Sequence, residues 1–242
     1  VETYQSFKFE GLDTEELTSQ AREALKLTRD RAVADTAPKA GQYDVVLSGE
    51  YAATVMSYYR DRANGAYIYR QYSDYKTGDF IQGEKSEITG DIINADYLPS
   101  TPFSNEGVPM KKLPCIGEGV FQNIHSGCRY SYYLGIKPIG AYTKLEITPG
   151  TMSFEDMKKH KGLYVVNFSD FQMDSMGGNF GGEIRLAYLN DGEKITPVTG
   201  GSINGSIIEA QKSFRFSSET QNTSKFVGPK AILLKNVSVA GL

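Results

Sequence analysis

The sequence contains few of the side chains that most often bind metals or act as nucleophiles. Its 242 residues include two histidines, His125 and His160, two cysteines, Cys115 and Cys128, and no tryptophan. Two thiols in a chain of this length are typical of a protein kept in a reducing compartment. The composition therefore predicts a cytoplasmic location.

Charge of one sign and long apolar runs are also missing. The formal net charge is −3, and no dense tract of Lys or Arg interrupts the sequence, so we expect no nucleic-acid partner. No apolar run approaches the roughly 20 residues that a membrane-spanning helix needs, so we expect no membrane partner. The chain starts at Val1 without a signal-like segment, which suggests a trimmed or processed end.

The scarce residues leave two chemical possibilities open. Cys115, His125 and Cys128 fall within fourteen residues, but a structural zinc site usually has four ligands and the spacing matches no zinc finger. A cysteine nucleophile with His125 as its base remains an alternative, because the components of such a site meet in space rather than in sequence. His160 follows a run of lysines, and there we expect a solvated side chain near a helix end.

The residues that are abundant favour strands. Sixteen tyrosines suit a β-rich protein with a binding surface. Short alternating segments such as "TKLEITPG" and "GLYVVNFSDF" lie between frequent turn signals, and "KAILLKNVSVAGL" predicts a closing strand.

Four segments of the sequence predict helices. The first is "GLDTEELTSQAREALKLTRDRA", where Asp13 is the expected N-cap and Glu16 completes a capping box. "GEYAATVMSYYRDRANG" follows the buried strand "QYDVVLS" and should stop at Gly65, Ser153 should cap a third helix, and "GSIIEAQKSF" should form a short fourth. The predicted fold class is α+β, with an antiparallel, barrel-like sheet system and a few flanking helices.

A glycine-rich stretch, "MDSMGGNFGGEIRLAYLNDGE", spans residues 173–193. A phosphate-binding loop needs a helix after its glycines, whereas "EIRLAYL" alternates like a half-buried strand and "NDG" predicts a hairpin turn. The glycines therefore either allow another backbone to come close or form a bulge that curves the sheet. Spacing alone does not separate these two interpretations.

Several segments in a shared order resemble the TldD/PmbA family. They are "TPFSNEGVPMKK", "IGEGVFQNIHSGCRYSYYLGIKPIGAY", "GLYVVNFSDFQMDSMGGNFGGEIRLAYLNDGEKITPVTGGSINGSIIEA" and the closing "VGPKAILLKNVSVAGL". The family was long described as modulators of DNA gyrase and is now understood as peptide-processing metalloproteases. The resemblance covers nearly the whole chain and implies that residues 1–242 form its C-terminal domain. Residues 1–40 are then a helical lead-in from an N-terminal domain that is expected to precede the sequence.

The resemblance also implies where a metal site should lie. Catalytic members carry HExxxH on the helix after the "VVL" strand, where two histidines bind the metal and the glutamate activates water. In this chain Ser57, Tyr58 and Arg62 occupy those positions, and "FRFSSETQNTSKFVG" lacks the family's distal cysteine ligand. The chain therefore resembles the PmbA or TldE branch, whose members lack the metal motif, and we expect no cofactor and no catalytic residue.

The function implied by this resemblance is a metal-free subunit that dimerises and binds unfolded peptide. Its partner is expected to be a metal-bearing TldD-like subunit or a second copy of itself. Family members are expected to bind extended substrate by pairing it with sheet edges. The predicted peptide-binding residues are Gly177, Gly178, Asn179, Phe180, Gly181 and Gly182, with Asn179 and Phe180 presenting side chains. The alternatives are a stand-alone binding or scaffold homodimer, and a peptidase that uses a site other than HExxxH.

Overall fold

A computed structural model describes residues 13–241 of the chain. The helices in these residues are α1 (Thr14–Val33), α2 (Glu50–Arg62), α3 (Gly65–Tyr69), α4 (Cys128–Leu134), α5 (Phe154–Lys158) and α6 (Ile207–Ala210). The strands are β1 (Gly41–Ser48), β2 (Ala95–Leu98), β3 (Leu113–Gly117), β4 (Val120–Phe121), β5 (Lys144–Ile147), β6 (Gly162–Met173), β7 (Asn179–Asn190), β8 (Ile195–Val198), β9 (Ser202–Ser206), β10 (Arg215–Phe216), β11 (Thr220–Asn222), β12 (Phe226–Pro229) and β13 (Ala231–Ala240).

Five strands close into a barrel. Going round it, β1 pairs with β6, β6 with β7, β7 with β9, β9 with β13, and β13 with β1 again. The β1–β6 pair is parallel and the other four are antiparallel. Closure gives every strand two neighbours, which removes the unpaired edges of an open sheet. The predicted α+β class with a mainly antiparallel, barrel-like sheet is confirmed.

A second sheet packs beside the barrel, in the order β11, β12, β5, β2, β3, β4. Helix α2 contacts β1 and β6 of the barrel and β12 of the second sheet. Its side chains Val55, Met56 and Tyr59 are fully buried in a core cluster that also contains residues of both sheets. The helix that carries Ser57, Tyr58 and Arg62 is thus central to the molecule.

Strand β1 is buried on both faces, as its apolar sequence predicts. Val45 and Leu47 belong to the main core. Val46 packs on the opposite face with Phe154 and Met157 of α5. A strand covered on both sides needs no polar alternation, which explains the continuous "VVL" run.

The predicted helix ends are largely confirmed. Asp13 caps α1 by accepting hydrogen bonds from the amides of Glu15 and Glu16, both at 3.0 Å, and Ser153 caps α5. Helix α2 ends at Arg62, three residues before the predicted stop at Gly65, where α3 instead begins. The reason is that the Asn64 side chain accepts the amide of Ala66 at 2.8 Å and starts a new helix.

Helix α1 lies on the outside of the barrel and contains no buried residue. Leu17 and Leu25, which belong to its apolar stripe, are 37% and 60% exposed. Asp30 accepts a hydrogen bond from Tyr188 on β7, and the Lys26 ammonium lies 5.6 Å from the centroid of that ring. In residues 13–241 no helix is long and apolar enough to cross a bilayer.

Candidate functional site

The glycine-rich stretch forms the hairpin between β6 and β7. Gly177 and Gly178 lie in the turn, where the Gly178 amide donates to the carbonyl of Asp174 at 2.8 Å. Gly178 has a φ of 76°, a left-handed conformation that favours glycine. The Asp174 carboxylate also accepts the amide of Met176 at 2.9 Å. These two glycines therefore serve the turn itself.

Gly181 and Gly182 lie within β7, where the backbones that come close belong to this same chain. A Cβ on Gly181 would lie 2.8 Å from the carbonyl oxygen of Ile203 on β9. A Cβ on Gly182 would overlap the carbonyl oxygen of Asp170 on β6. The β6–β7 register shifts between Phe168 and Phe171, opposite this glycine, which marks a bulge. Close approach and curvature thus occur together, and both are internal to the barrel.

The expectation that a peptide pairs with a sheet edge is wrong for this segment. Residues 179–183 of β7 pair with β9, and residues 180–182 also pair with β6. Barrel closure has used both edges of the strand, so no free edge remains here for β-augmentation. A ligand could reach these residues only across the outer face of the barrel.

Phe180 corrects a second expectation, because its ring is in the core. It is 2% exposed, and it packs so closely over Gly205 that a Cβ on that glycine would overlap the ring. Strand alternation places Phe180 inside and its neighbour Asn179 outside. Of the two predicted surface side chains, Asn179 is exposed and Phe180 is not.

A shallow groove of about 720 Å³ crosses the outer face of β6, β7 and β9 at this point. Gly181 lies on its floor, between its pairing partners Gln172 and Asn204. A neighbouring hollow of about 410 Å³ shares Ser169, Glu183 and Ser202 with it. The two form one continuous surface groove, which includes the predicted residues Asn179, Phe180, Gly181 and Gly182.

The three α2 positions that the resemblance aligns with the metal motif have partners within the fold. The Ser57 hydroxyl donates to the carbonyl of Thr54 at 2.7 Å, and Tyr58 is 4% exposed. Arg62 is 9% exposed, and its guanidinium lies 5.8 Å from the Tyr58 ring centroid and 5.3 Å from that of Tyr75. An arginine stacked between two aromatic rings is stabilised by cation–π attraction.

Polar groups complete the environment of Arg62. Its guanidinium donates to the carbonyl of Tyr72 and forms an ion pair with Asp74, whose side chain is 87% exposed. Burial raises the pKa of the Tyr58 phenol, partly offset by the Arg62 charge. The pair Tyr58 and Arg62 is thus a cation–aromatic contact one helical turn apart rather than two metal-site side chains.

The β6–β7 turn rests on the end of α2. Arg62 donates to the carbonyl of Met176 at 3.3 Å, and the Ser175 hydroxyl donates to the Asp61 carboxylate at 2.9 Å. The two segments that sequence reasoning singled out separately, the glycine-rich stretch and the altered motif, are therefore in contact. Sequence analysis missed this contact because the partners are 114 residues apart.

The cysteine and histidine alternatives are not supported by the geometry. Cys115 is fully buried, which raises its pKa to about 12, whereas Cys128 is exposed at the start of α4. The two ring nitrogens of His125 lie 2.8 Å from the Arg60 carbonyl and 3.1 Å from the Tyr142 amide that donates to it. Burial lowers the pKa of His125 to about 4. With both nitrogens engaged, His125 has no free lone pair to take a thiol proton.

His160 also has a specific partner. Its Nε2 lies 2.8 Å from the Asp44 carboxylate on β1, and the side chain is 32% exposed. Among residues 13–241 no group of three or more His, Cys, Asp or Glu side chains could hold a metal ion.

Comparison with known proteins identifies the family. Residues 40–241 match the sequence model of the PmbA/TldA metallopeptidase C-terminal domain. The chain belongs to the TldD/PmbA family. No curated protein matches it.

Solved structures share the TldD/PmbA C-terminal fold with this chain. TldE from Thermococcus kodakarensis superposes with a TM-score of 0.77 at 18% identity, over 93% of this chain and 56% of that one. A Thermotoga maritima protein, described as a candidate modulator of a DNA gyrase, superposes with a TM-score of 0.77 at 21% identity, over 96% of this chain and 56% of that one. A Bacteroides thetaiotaomicron protein with a similar description superposes with a TM-score of 0.76 at 19% identity, over 91% of this chain and 52% of that one. The chain thus spans about half the length of these relatives.

Proposed function

We propose that this chain is a metal-free, non-catalytic subunit of a TldD/PmbA-type peptide-processing metalloprotease. The observation that carries the proposal is the environment of Arg62. Its buried guanidinium stands where the motif's second histidine is expected, and it is stacked and hydrogen-bonded there. A permanently charged guanidinium offers no lone pair to a metal and repels a cation.

The other two motif positions support the same proposal. A catalytic zinc site needs neutral nitrogen or anionic ligands, together with a base that activates the bound water. The Ser57 hydroxyl is engaged with the helix backbone, and the buried Tyr58 phenol has a raised pKa and stays neutral. Neither side chain replaces an imidazole or the glutamate base.

Dimerisation and peptide binding complete the proposed role. The partner is a metal-bearing TldD-like subunit or a second copy of this chain, in the cytoplasm. The surface groove defined above is the proposed peptide site, because it is open along the outer face of β7 and is lined by exposed polar side chains that can bond a peptide. Peptide would lie on the face of the barrel and not along an edge.

The experiment that tests the metal-free role is elemental mass spectrometry on the chain purified without added metal. We expect well below one zinc or iron per chain, with a metal-bearing TldD-like protein prepared in parallel as the positive control. Peptide hydrolysis by the isolated chain that a chelator abolishes would contradict the proposal. A stoichiometry near one metal ion per chain would also contradict it.

The partner is tested by purification from the native cell. A TldD-like subunit that co-elutes in a stable complex supports the heteromeric assembly. Sedimentation of the chain alone, as a dimer with no other subunit present, would favour the scaffold homodimer.

A further inference from the structure

The surface groove is charged in opposite senses at its two ends. Asp174 lines the end beside the β6–β7 turn, and Asp170 and Glu183 lie at the middle, where β6 brings Asp170 beside Gly182. Arg31, in the last turn of α1, and Arg185 line the other end. Among residues 13–241, no lysine or arginine lines the acidic hollow.

The charges at both ends are available to a ligand. Asp170 accepts a hydrogen bond from Gln172 and Glu183 accepts one from Ser169, both at 3.0 Å, and these neutral donors leave the charges uncompensated. In residues 13–241, none of the five charged groups of the groove forms an ion pair. An exposed, unpaired charge keeps its attraction for an opposite charge on a ligand.

The length of the groove matches a short extended peptide. Asn179, Gly181, Glu183 and Arg185 alternate on the outer face of β7, and all line the groove. Six residue steps along a strand span about 20 Å. An extended segment of about seven or eight residues therefore reaches from the acidic end to the basic end.

We propose that the groove selects extended peptides whose charges are segregated, with a cationic part on Asp174, Asp170 and Glu183 and an anionic end on Arg31 and Arg185. This inference rests on the proposed peptide-binding role and adds the class of peptide. Complementary charge at two separated points fixes where the ligand sits and which end faces the β6–β7 turn. That turn also contacts Arg62 on α2, through the carbonyl of Met176.

The test is calorimetric titration of the whole chain with three capped octapeptides. One has two lysines at one end and two glutamates at the other, separated by Ser and Gly. The second has the same composition with lysines and glutamates alternating, and the third has lysines at both ends. We expect the segregated peptide to bind about fivefold more tightly than the alternating one, since one exposed ion pair is worth up to about that factor. The difference should shrink at high salt.

A charge reversal locates the effect. In Arg185→Glu the basic end keeps Arg31 beside a new carboxylate and has no net positive charge, so the preference for the segregated peptide over the one with lysines at both ends should be lost. Lys235→Glu is the matched control, because Lys235 is also exposed on a strand but lies outside the groove. It should leave the preferences of the unmodified chain in place.

The two proposals fail in different ways. Equal affinity for the segregated and alternating peptides, unchanged by Arg185→Glu, overturns charge selection while peptide binding stands. If none of the three peptides binds, the groove is not a peptide site, and both charge selection and that part of the proposed function are overturned. The metal-free role is judged separately, from the metal content.

Discussion

Arg62 has a structural role, because its side chain connects α2 to neighbouring segments of the fold. Its guanidinium joins three segments, because it contacts the carbonyls of Tyr72 and Met176 and stacks on Tyr58. The family resemblance aligns Arg62 with the second histidine of the metal motif. It does not show that the replacement links α2 to the turn at the acidic end of the groove.

Replacing Arg62 with methionine should destabilise the fold by about 1–3 kcal/mol, because two carbonyls lose a charged donor and buried packing is lost. Urea unfolding measures the change. Asp74→Asn should cost less than about 1 kcal/mol, since that carboxylate is mostly exposed. Arg22→Met, at an exposed position on α1, should be neutral. An equally small effect of Arg62→Met would show that the guanidinium does not hold these segments.

Because of His125, we expect the free energy of unfolding to fall in acid. Its folded pKa is about 4, below the ordinary value of about 6.5, so the unfolded chain binds a proton more readily between these two pH values. Stability from this group is therefore complete above about pH 6.5 and falls by about 3 kcal/mol as the pH drops towards 4.

Urea unfolding at a series of pH values measures the step at His125. His125→Gln should lose stability at neutral pH but show a shallower decline between pH 6.5 and 4. His160→Gln retains His125 and should keep the steep decline. Parallel curves for His125→Gln and the unmodified chain would contradict the assignment.

At the scale of elements, the β6–β7 hairpin combines three requirements in one short sequence. The turn needs a left-handed residue at Gly178, the bulge in β6 needs room at Gly182, and the tight contact with β9 needs room at Gly181. The glycines of this stretch meet all three requirements together. The role of each glycine could not be assigned until the neighbouring strands were known.

Gly182→Ala should destabilise the hairpin by about 1–3 kcal/mol, because the new methyl group would overlap the backbone carbonyl of Asp170. Thermal unfolding measures the loss. Gly41→Ala is the control, since its nearest neighbour would be a Tyr43 ring atom at 3.5 Å, an ordinary contact. A neutral Gly182→Ala would mean that β6 shifts freely at the bulge.

At the scale of the whole molecule, the closed barrel separates α1 from the core. Strands β1 and β13 pair over most of their length, whereas α1 contacts the barrel through few side chains and buries none fully. Regions with few buried apolar contacts open locally at low free energy. The molecule should therefore unfold α1 before the barrel.

Hydrogen exchange followed by mass spectrometry tests this order. Amides of residues 17–33 should exchange well before those of β1 and β13, and Tyr188→Phe should accelerate α1 further by removing its hydrogen bond to Asp30. Tyr97, on β2 of the second sheet, donates to the carbonyl of Asn123 at 2.6 Å, so Tyr97→Phe removes a comparable hydrogen bond and is a control that should leave α1 unchanged. Protection of α1 equal to that of β13 would refute the order.

The sequence by itself determined the features that depend on neighbouring residues. The caps at Asp13 and Ser153 and the buried "VVL" strand are local, because hydrogen bonds and periodicity within a few residues decide them. The family resemblance is also carried by the order of such local segments. Residues 40–241 confirm it.

The tertiary structure alone decided what lies beside each segment. Barrel closure turned Phe180 inward, occupied both edges of β7 and brought Met176 to Arg62 across 114 residues. These outcomes depend on strand register and on contacts between distant parts of the chain, and a slip of one residue would exchange the inner and outer faces. The charged groove exists for the same reason, since its acidic and basic ends come from α1, β6 and β7.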